Sequence, residues 1–394
     1  MTSVPGRTVY LESFGCQMNA FDTEVIESML RKEGFAAVPE PDGADVILVN
    51  TCSIRDHAER RAIGRLHDLS RHRKAVHVVC GCMAQRLGDR LRDLVPGIDI
   101  IAGPDTYREL AAAIVSRCGG GGTATMLSRD GGVTYGLSES GGGSVSRYLS
   151  ITRGCENYCS YCIVPYVRGP IRSKKAGEIM RELRLLEDAG TREVTLLGQN
   201  VMAYREDDGG FVDLLELILR ETGLARIRFL TTHPRDVDPS LFALMSASRR
   251  ICPHLHLPLQ AGDDNVLKRM NRGYTAAQYC SIVDRARAEI PGISFSTDII
   301  VGFPGESRED FERTVEIVER VRFDSAFTFK YSPREGTAAA RTKDDVPPAE
   351  KAYRLDRLNA VVRRIREETL GRLVGSREEI LLDGVVQKGE YRFL

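Results

Sequence analysis

The chain has 394 residues, 42% of them hydrophobic, and its 55 Lys and Arg are matched by 55 Asp and Glu, for a formal net charge of zero. That length supports two domains with their own cores and a small third segment. No apolar run reaches the ~18 residues of a membrane-spanning helix, and the neutral balance excludes nucleic-acid binding through an overall basic field, leaving only local patches.

The first seven residues, Met1 to Arg7, carry neither an apolar signal core nor transit-peptide character. Ten cysteines without a secretory signal point to a reducing cytoplasm and to metal rather than disulfides. Residues 7–117 alternate apolar strands with amphipathic helices, which predicts a doubly wound parallel sheet. Thr8 to Leu11 leads to Cys16, and a helix from about Asp22 carries Val25, Ile26, Met29 and Leu30 and stops at Gly34. Ala44 to Asn50 runs into Cys52, Val76 to Val79 into Cys82, and Ile98 to Ile101 plus a helix close the unit. Cys16, Cys52 and Cys82 each follow a strand at its carboxyl end, the edge where such sheets bind ligands, so they are expected to converge. Cys80, inside a strand, and Cys118, at a helix end, read as structural.

Residues 119–146, with glycines at 119–122, 131–132 and 141–143, read as a linker. From Arg147 the alternation resumes, with strands expected to end at Thr152, Leu197, Thr232, Leu259, Val301 and Tyr331. Six βα units predict an open, partial (β/α)6 barrel with its chemistry at the carboxyl rim. Gly198-Gln199-Asn200, Thr231 to Pro234, His254 to Gln260 and Gly302 to Glu306 lie on that rim, where His233 and His256 read first as structural. A charged helix from about Pro348 to Leu370 ends the barrel, and residues 378–394 read as strands turning at Asp383-Gly384.

The loop after the first barrel strand is Arg153-Gly154-Cys155-Glu156-Asn157-Tyr158-Cys159-Ser160-Tyr161-Cys162. From ten cysteines in 394 residues, chance supplies about 0.006 triplets at this spacing. Three thiolates on an iron–sulfur cube leave one iron open to a non-protein ligand. A zinc knuckle would want a fourth ligand, which no nearby His supplies; three buried core thiols are the other structural alternative.

The loop resembles that of the radical S-adenosylmethionine superfamily, C-x3-C-x-φ-C, with Tyr161 in the aromatic place. Phe14-Gly15-Cys16, Asn50-Thr51-Cys52-Ser53-Ile54-Arg55, Gly81-Cys82-Met83-Ala84-Gln85, Leu197-Gly198-Gln199-Asn200-Val201, Leu257 to Gln260, Met270-Asn271-Arg272 and Asp298 to Glu306 are similar to the methylthiotransferases, most of all the group that modifies dimethylallyladenosine in tRNA. The resemblance implies two [4Fe–4S] clusters, on Cys155, Cys159 and Cys162 and on Cys16, Cys52 and Cys82. It places S-adenosylmethionine against Tyr161, Gln199 and Gln260, with no residue acting as a catalytic acid or base. One S-adenosylmethionine would give a 5′-deoxyadenosyl radical and a second the methyl group, the auxiliary cluster holding or delivering the sulfur. The expected substrate is N6-dimethylallyladenosine beside the tRNA anticodon; a ribosomal protein or threonylcarbamoyladenosine is the alternative within the family, and a two-cluster electron carrier the alternative outside it. An electron-donor protein and a sulfur source are expected partners, and the two Arg groups 60, 61, 65, 71, 73 and 363, 364, 366 are either RNA-binding or solvated faces. The expected domains are 1–118 for the auxiliary cluster, the linker 119–146, the radical core 147–371, and 372–394 as an incomplete form of the family's C-terminal RNA-binding TRAM barrel. The family's Thr-Arg-Gly-x-Glu-x-Ser-Arg is here Val167-Arg168-Gly169-Pro170-Ile171-Arg172-Ser173-Lys174, so no role is carried over for the missing carboxylate.

Overall fold

The structure, a computed structural model, describes residues 6–54, 56–129, 136, 144–207 and 209–384. Glycines 131–132 and 141–143 of the expected linker and residues 385–394 of the expected C-terminal strands lie outside the described residues. The chain divides into two compact units, each discontinuous. One takes Met1–Gly142, Tyr148–Glu156 and Ile163–Lys174; the other takes Gly143–Arg147, Asn157–Cys162 and Lys175–Leu394.

The first unit is a six-stranded parallel sheet in the order β2-β1-β3-β4-β5-β6. Its elements are β1 (Arg7–Ser13), α1 (Gln17–Lys32), β2 (Phe35–Val38), β3 (Val46–Thr51), α2 (Asp56–Leu69), β4 (Val76–Gly81), α3 (Cys82–Leu87), α4 (Arg90–Leu94), β5 (Ile100–Ala102), α5 (Tyr107–Cys118) and β6 (Ala124–Met126). Every residue of β3 is buried, as a parallel strand covered on both faces requires. Ile47, Val49, Val79 and Ile101 pack with Ala62, Leu66 and Leu69 of α2 and with Met83 and Leu87 of α3. The alternate residues Val46, Leu48, Val78 and Ile100 are buried as well.

Three expectations need correction here. Helix α1 begins at Gln17, not near Asp22. Its first turns bury Asn19 and Asp22, polar residues satisfied by distant partners, so the apolar stripe alone starts too late. Strand β2 was not foreseen, and β6 falls inside the stretch read as linker, pairing through Ile100↔Ala124. Edge strands of three or four residues are too short to show a period.

The second unit carries β10 (Glu193–Leu197), β13 (Arg226–Phe229), β14 (His254–His256), β15 (Ser294–Val301) and β16 (Ser325–Lys330) after β7 (Ser146–Ser150), whose first two residues belong to it. The pair β11 (Arg205–Glu206) with β12 (Gly209–Gly210) is a separate two-stranded sheet of this unit, whereas β8 (Thr152–Arg153) with β9 (Arg172–Ser173) belongs to the first unit. The main wall of the second unit is two three-stranded pieces, β13-β10-β7 and β14-β15-β16, with β13 parallel to β10 and β15 parallel to both its neighbours; Ile227 of β13 bridges to Ile251, just before β14. Helices α7 (Ala176–Asp188), α8 (Phe211–Glu221), α9 (Ser240–Ala247), α11 (Ala276–Glu289) and α12 (Arg308–Val321) alternate with the strands, and α10 (Asp264–Arg269) is short; the short α6 (Val164–Arg168) belongs to the first unit. The partial six-strand barrel is thus present. Two strands stop short of the expected Thr232 and Leu259, at Phe229 and His256. The chain turns left-handed at Thr231 and Gln260, each with φ 68°, and this breaks the ladder. Gln260 rejoins it by a single bridge to Ile299.

Helix α13 (Pro348–Gly371) closes the unit. Residues 378–384 form no strand, contrary to expectation. Ile380 is 72% exposed, and no described neighbour offers a ladder.

Candidate metal centres

In the first sheet β1 sits between β2 and β3, so the chain reverses direction of build there, and the crevice at a reversal is where open α/β sheets bind ligands. Cys16 lies past β1 as the N-cap of α1, Cys52 directly follows β3, and Cys82 opens α3 after β4. Gly15, at φ 138°, makes the approach possible: a Cβ there would lie 2.5 Å from Cys52 Cβ. The two loops are tied by amides. Asn19 Nδ2 donates to Asn50 Oδ1 and to Thr51 O, both at 3.0 Å, and Asn50 Nδ2 donates to Asn19 O at 3.0 Å. Cys16 Sγ in turn donates to Asn19 Oδ1 at 3.4 Å.

The three thiols feel one another. A hydrogen bond from Cys52 lowers Cys16 to about 6 against the effect of burial, with Arg168 assisting. The same bond pushes Cys52 well above its ordinary value. Burial pushes Cys82 up, and Arg168 opposes it. All ten cysteines are free thiols. Among the described residues no three ligand side chains close on a single ion. A four-iron cube asks for something else, one thiolate on each of three irons, and so holds its cysteines further apart than one ion would. Three free thiols at neighbouring strand ends are the donor chemistry such a cube takes.

Around Cys82 lies a buried charge network that sequence reasoning missed. Arg168 Nε donates to Cys82 Sγ at 3.1 Å and its Nη2 to Asp22 Oδ2 at 3.0 Å. Arg153 Nη2 donates to Asp22 Oδ1. These partners are 131 and 146 residues apart in sequence, so no local pattern could reveal them. Arg172 is paired with Asp105 through two bonds, at 2.9 and 3.0 Å.

The signature loop is anchored in each unit. In the first, Cys155 N donates to Gly169 O at 3.1 Å. Gly154, at φ 77°, lies so close that a Cβ would meet Pro170 O at 1.9 Å. In the second, Ser160 N donates to Met270 O at 3.0 Å, and Asn271 Nδ2 donates to Tyr158 O at 3.0 Å. Cys159 is buried, and Arg272 Nη1 donates to its Sγ at 3.2 Å. Arg272 also reaches Pro258 O at 3.0 Å and Tyr274 Oη at 3.1 Å, which binds the loop to the end of β14. Burial pushes the Tyr161 phenol well up, and the Arg272 charge offsets only part of this. Arg272 was visible in sequence only as part of Met270-Asn271-Arg272.

At the strand ends of the second unit, Asn200 Oδ1, His233 Nε2 and Gln260 Oε1 are buried without a hydrogen-bond partner among the described residues. Such atoms cost free energy unless something polar meets them, and a zwitterionic, nucleoside-bearing cofactor such as S-adenosylmethionine fits them. Gln199 is half-buried beside Asn200. Glu306 is instead a brace, its Oε2 accepting from Gly302 N at 2.5 Å and from Arg354 Nη1 at 2.7 Å. His256 joins Ser296 at 2.9 Å, a structural bond of neighbouring strands. The two proposed basic faces are partly spent on acids: Arg65 pairs with Glu12 at 2.8 Å, and Arg364 with Glu319 at 2.9 Å.

Burial lowers His254 from 6.5 to about 4. It stays neutral in the fold while the unfolded chain protonates it near 6.5, so its contribution is complete above that value and is lost as pH falls toward about 4. Its share of the fall is at most about 1.4 kcal/mol per pH unit. Urea unfolding at successive pH values over this window is expected to show that slope, flattened in His254→Gln; an unchanged slope in the variant counts against it.

Cys80 is fully buried in β4, and Cys118 is half-buried at the end of α5. Cys80→Ala and Cys118→Ala should leave iron content unchanged, Cys80→Ala costing about 1 kcal/mol of packing in a urea titration. An essential Cys80 beside a dispensable Cys82 would reverse the assignment at this strand end.

The family model described as "Radical SAM superfamily" matches residues 149–318, and "Uncharacterized protein family UPF0004" matches residues 8–103. The chain is 42% identical over 391 residues to the tRNA-2-methylthio-N(6)-dimethylallyladenosine synthase of Geobacter sulfurreducens, covering 97% of this chain and 88% of that one. To the protein of the same name from Porphyromonas gingivalis it is 43% identical over 394 residues, covering 96% and 84%. Among solved structures it resembles the radical S-adenosylmethionine methyltransferase TsrM from Kitasatospora setae, with TM-score 0.63, 14% identity, and 85% and 77% of the two chains covered. At that identity the likeness speaks for the fold alone.

Proposed function

Since the chain belongs to the family of tRNA-2-methylthio-N(6)-dimethylallyladenosine synthases, we propose that its two sets of three cysteines are the two iron–sulfur sites of that chemistry. It is a radical S-adenosylmethionine methylthiotransferase that converts dimethylallyladenosine beside the tRNA anticodon to its 2-methylthio derivative, with two [4Fe–4S] clusters and S-adenosylmethionine as cofactors. Ribosomal protein and threonylcarbamoyladenosine as substrates, and an electron-carrier role, are set aside by that membership.

Cys155, Cys159 and Cys162 would hold the cluster that takes S-adenosylmethionine, and Cys16, Cys52 and Cys82 the auxiliary one. When bound, these groups would provide the one-electron cleavage and the methyl group and would hold or deliver the sulfur, none of which acid–base chemistry can do. The chain's own residues bind and shield. Arg272 fixes Cys159, Asn271 and Met270 hold the loop backbone, and Tyr161, Gln199 and Gln260 would meet the cofactor. Asn19 and Asn50 lock the Cys16 and Cys52 loops. The observation that supports this assignment is the placement of Cys16, Cys52 and Cys82, far apart in sequence, each just past the carboxyl end of one of three neighbouring strands of the first sheet, β1, β3 and β4. An electron-donor protein and a sulfur source are the further partners this chemistry needs. No described helix is long and apolar enough to cross a membrane, and the proposed place of action is the cytoplasm.

The test is anaerobic incubation of tRNA containing dimethylallyladenosine with reductant and S-adenosylmethionine, followed by nucleoside mass spectrometry. A mass gain of one sulfur and one methyl group on that adenosine is expected. The same gain on a ribosomal protein, with tRNA unchanged, would overturn the reading.

A further inference from the structure

We propose that Arg168 is a positioning residue of the auxiliary centre: its Nε–H bond to Cys82 Sγ raises the reduction potential of the cluster on Cys16, Cys52 and Cys82, and Asp22 sets how much of its charge that cluster feels. The proposal rests on the cluster assignment made above.

Arg168 is 3% exposed and Asp22 fully buried, so their charges are poorly screened. The guanidinium divides its donors, Nε to Cys82 Sγ at 3.1 Å and Nη2 to Asp22 Oδ2 at 3.0 Å. A lysine could bring the charge but not both bonds in one plane. Arg153 holds the other carboxylate oxygen, so two buried cations face one buried anion and this trio carries one net positive charge beside the thiolate. Arg168 ends α6, and Ile163 and Val167 of the same stretch pack on Cys82 as an apolar cluster that keeps water from the bond. A cube held by three thiolates becomes more negative on reduction. A donated N–H and a net positive charge in a dry setting stabilise that extra charge and favour the reduced form. Arg168 touches a ligand rather than a reacting atom, so its effect is on the potential of the centre.

The experiment uses the full chain with Cys155, Cys159 and Cys162 replaced, so that only the auxiliary cluster remains, reconstituted anaerobically with iron and sulfide. Its midpoint is read by an EPR-monitored redox titration. Arg168→Gln is expected to disfavour reduction about tenfold, about 59 mV for a one-electron couple. Arg168→Lys should recover part of that shift. Asp22→Asn, which leaves the arginine charge uncompensated, should move the midpoint the opposite way. An unmoved midpoint in both Arg168→Gln and Asp22→Asn, or a shift of the same sign in both, overturns the proposal and leaves Arg168 as packing. So does loss of iron from all three variants while their parent retains it, which would make the network a folding device. A parent that takes up no iron overturns the cluster assignment and this proposal with it; every other result falls on Arg168 alone.

Discussion

Replacing Cys155 and Cys162 by alanine and Cys159 by serine in one chain should lower its iron from about eight to about four atoms, four per cube, and reduce S-adenosylmethionine cleavage to background. Serine is chosen at position 159 because Arg272 donates to Cys159 Sγ at 3.2 Å in a buried setting. Alanine there would strand a guanidinium donor at a cost of about 1–3 kcal/mol and confuse loss of iron with loss of fold. Iron measured against protein, together with chromatography of 5′-deoxyadenosine, decides the matter. Unchanged iron would refute the assignment of the loop.

The second large effect is selective. Cys16→Ala, Cys52→Ala or Cys82→Ala should leave 5′-deoxyadenosine formation measurable and stop sulfur insertion into tRNA. Of the three, Cys82→Ala should also destabilise the first unit most, because Arg168 Nε loses its acceptor in a buried site while Cys16 is only half-buried. The paired readouts are 5′-deoxyadenosine by chromatography and methylthiolated nucleoside by mass spectrometry. Normal methylthiolation in any one variant would remove that cysteine from the set.

What could be read from the sequence was what has a local pattern. The buried run of β3, the amphipathic helices and the six cysteines all announce themselves over a few residues, and Cys16, Cys52 and Cys82 were expected at strand ends because each follows an apolar run. The residues that hold those cysteines have no such signature. Asn19 and Asn50 meet across 31 residues and Arg168 meets Cys82 across 86. Asp22 was also the source of the misplaced start of α1, since a buried carboxylate looks like an exposed one until its arginines are known. Thr231 and Gln260 ended two strands early for a related reason: a left-handed backbone turn at a non-glycine residue is imposed by the surrounding fold.

The discontinuity of the first unit limits how such a protein can be cut or recombined. A gene fragment ending at Gly142 would encode the six-stranded sheet but neither Tyr148–Glu156 nor Ile163–Lys174. Asp22 would then lie in the sheet's core stripped of Arg153 and Arg168, and losing the partners of a buried ion pair costs about 3–5 kcal/mol. The sheet is therefore not a portable cassette. A lineage that inherits Cys16, Cys52 and Cys82 in working order must inherit residues on both sides of the signature loop, and so the loop itself. Domain shuffling cannot easily part the two cysteine sets.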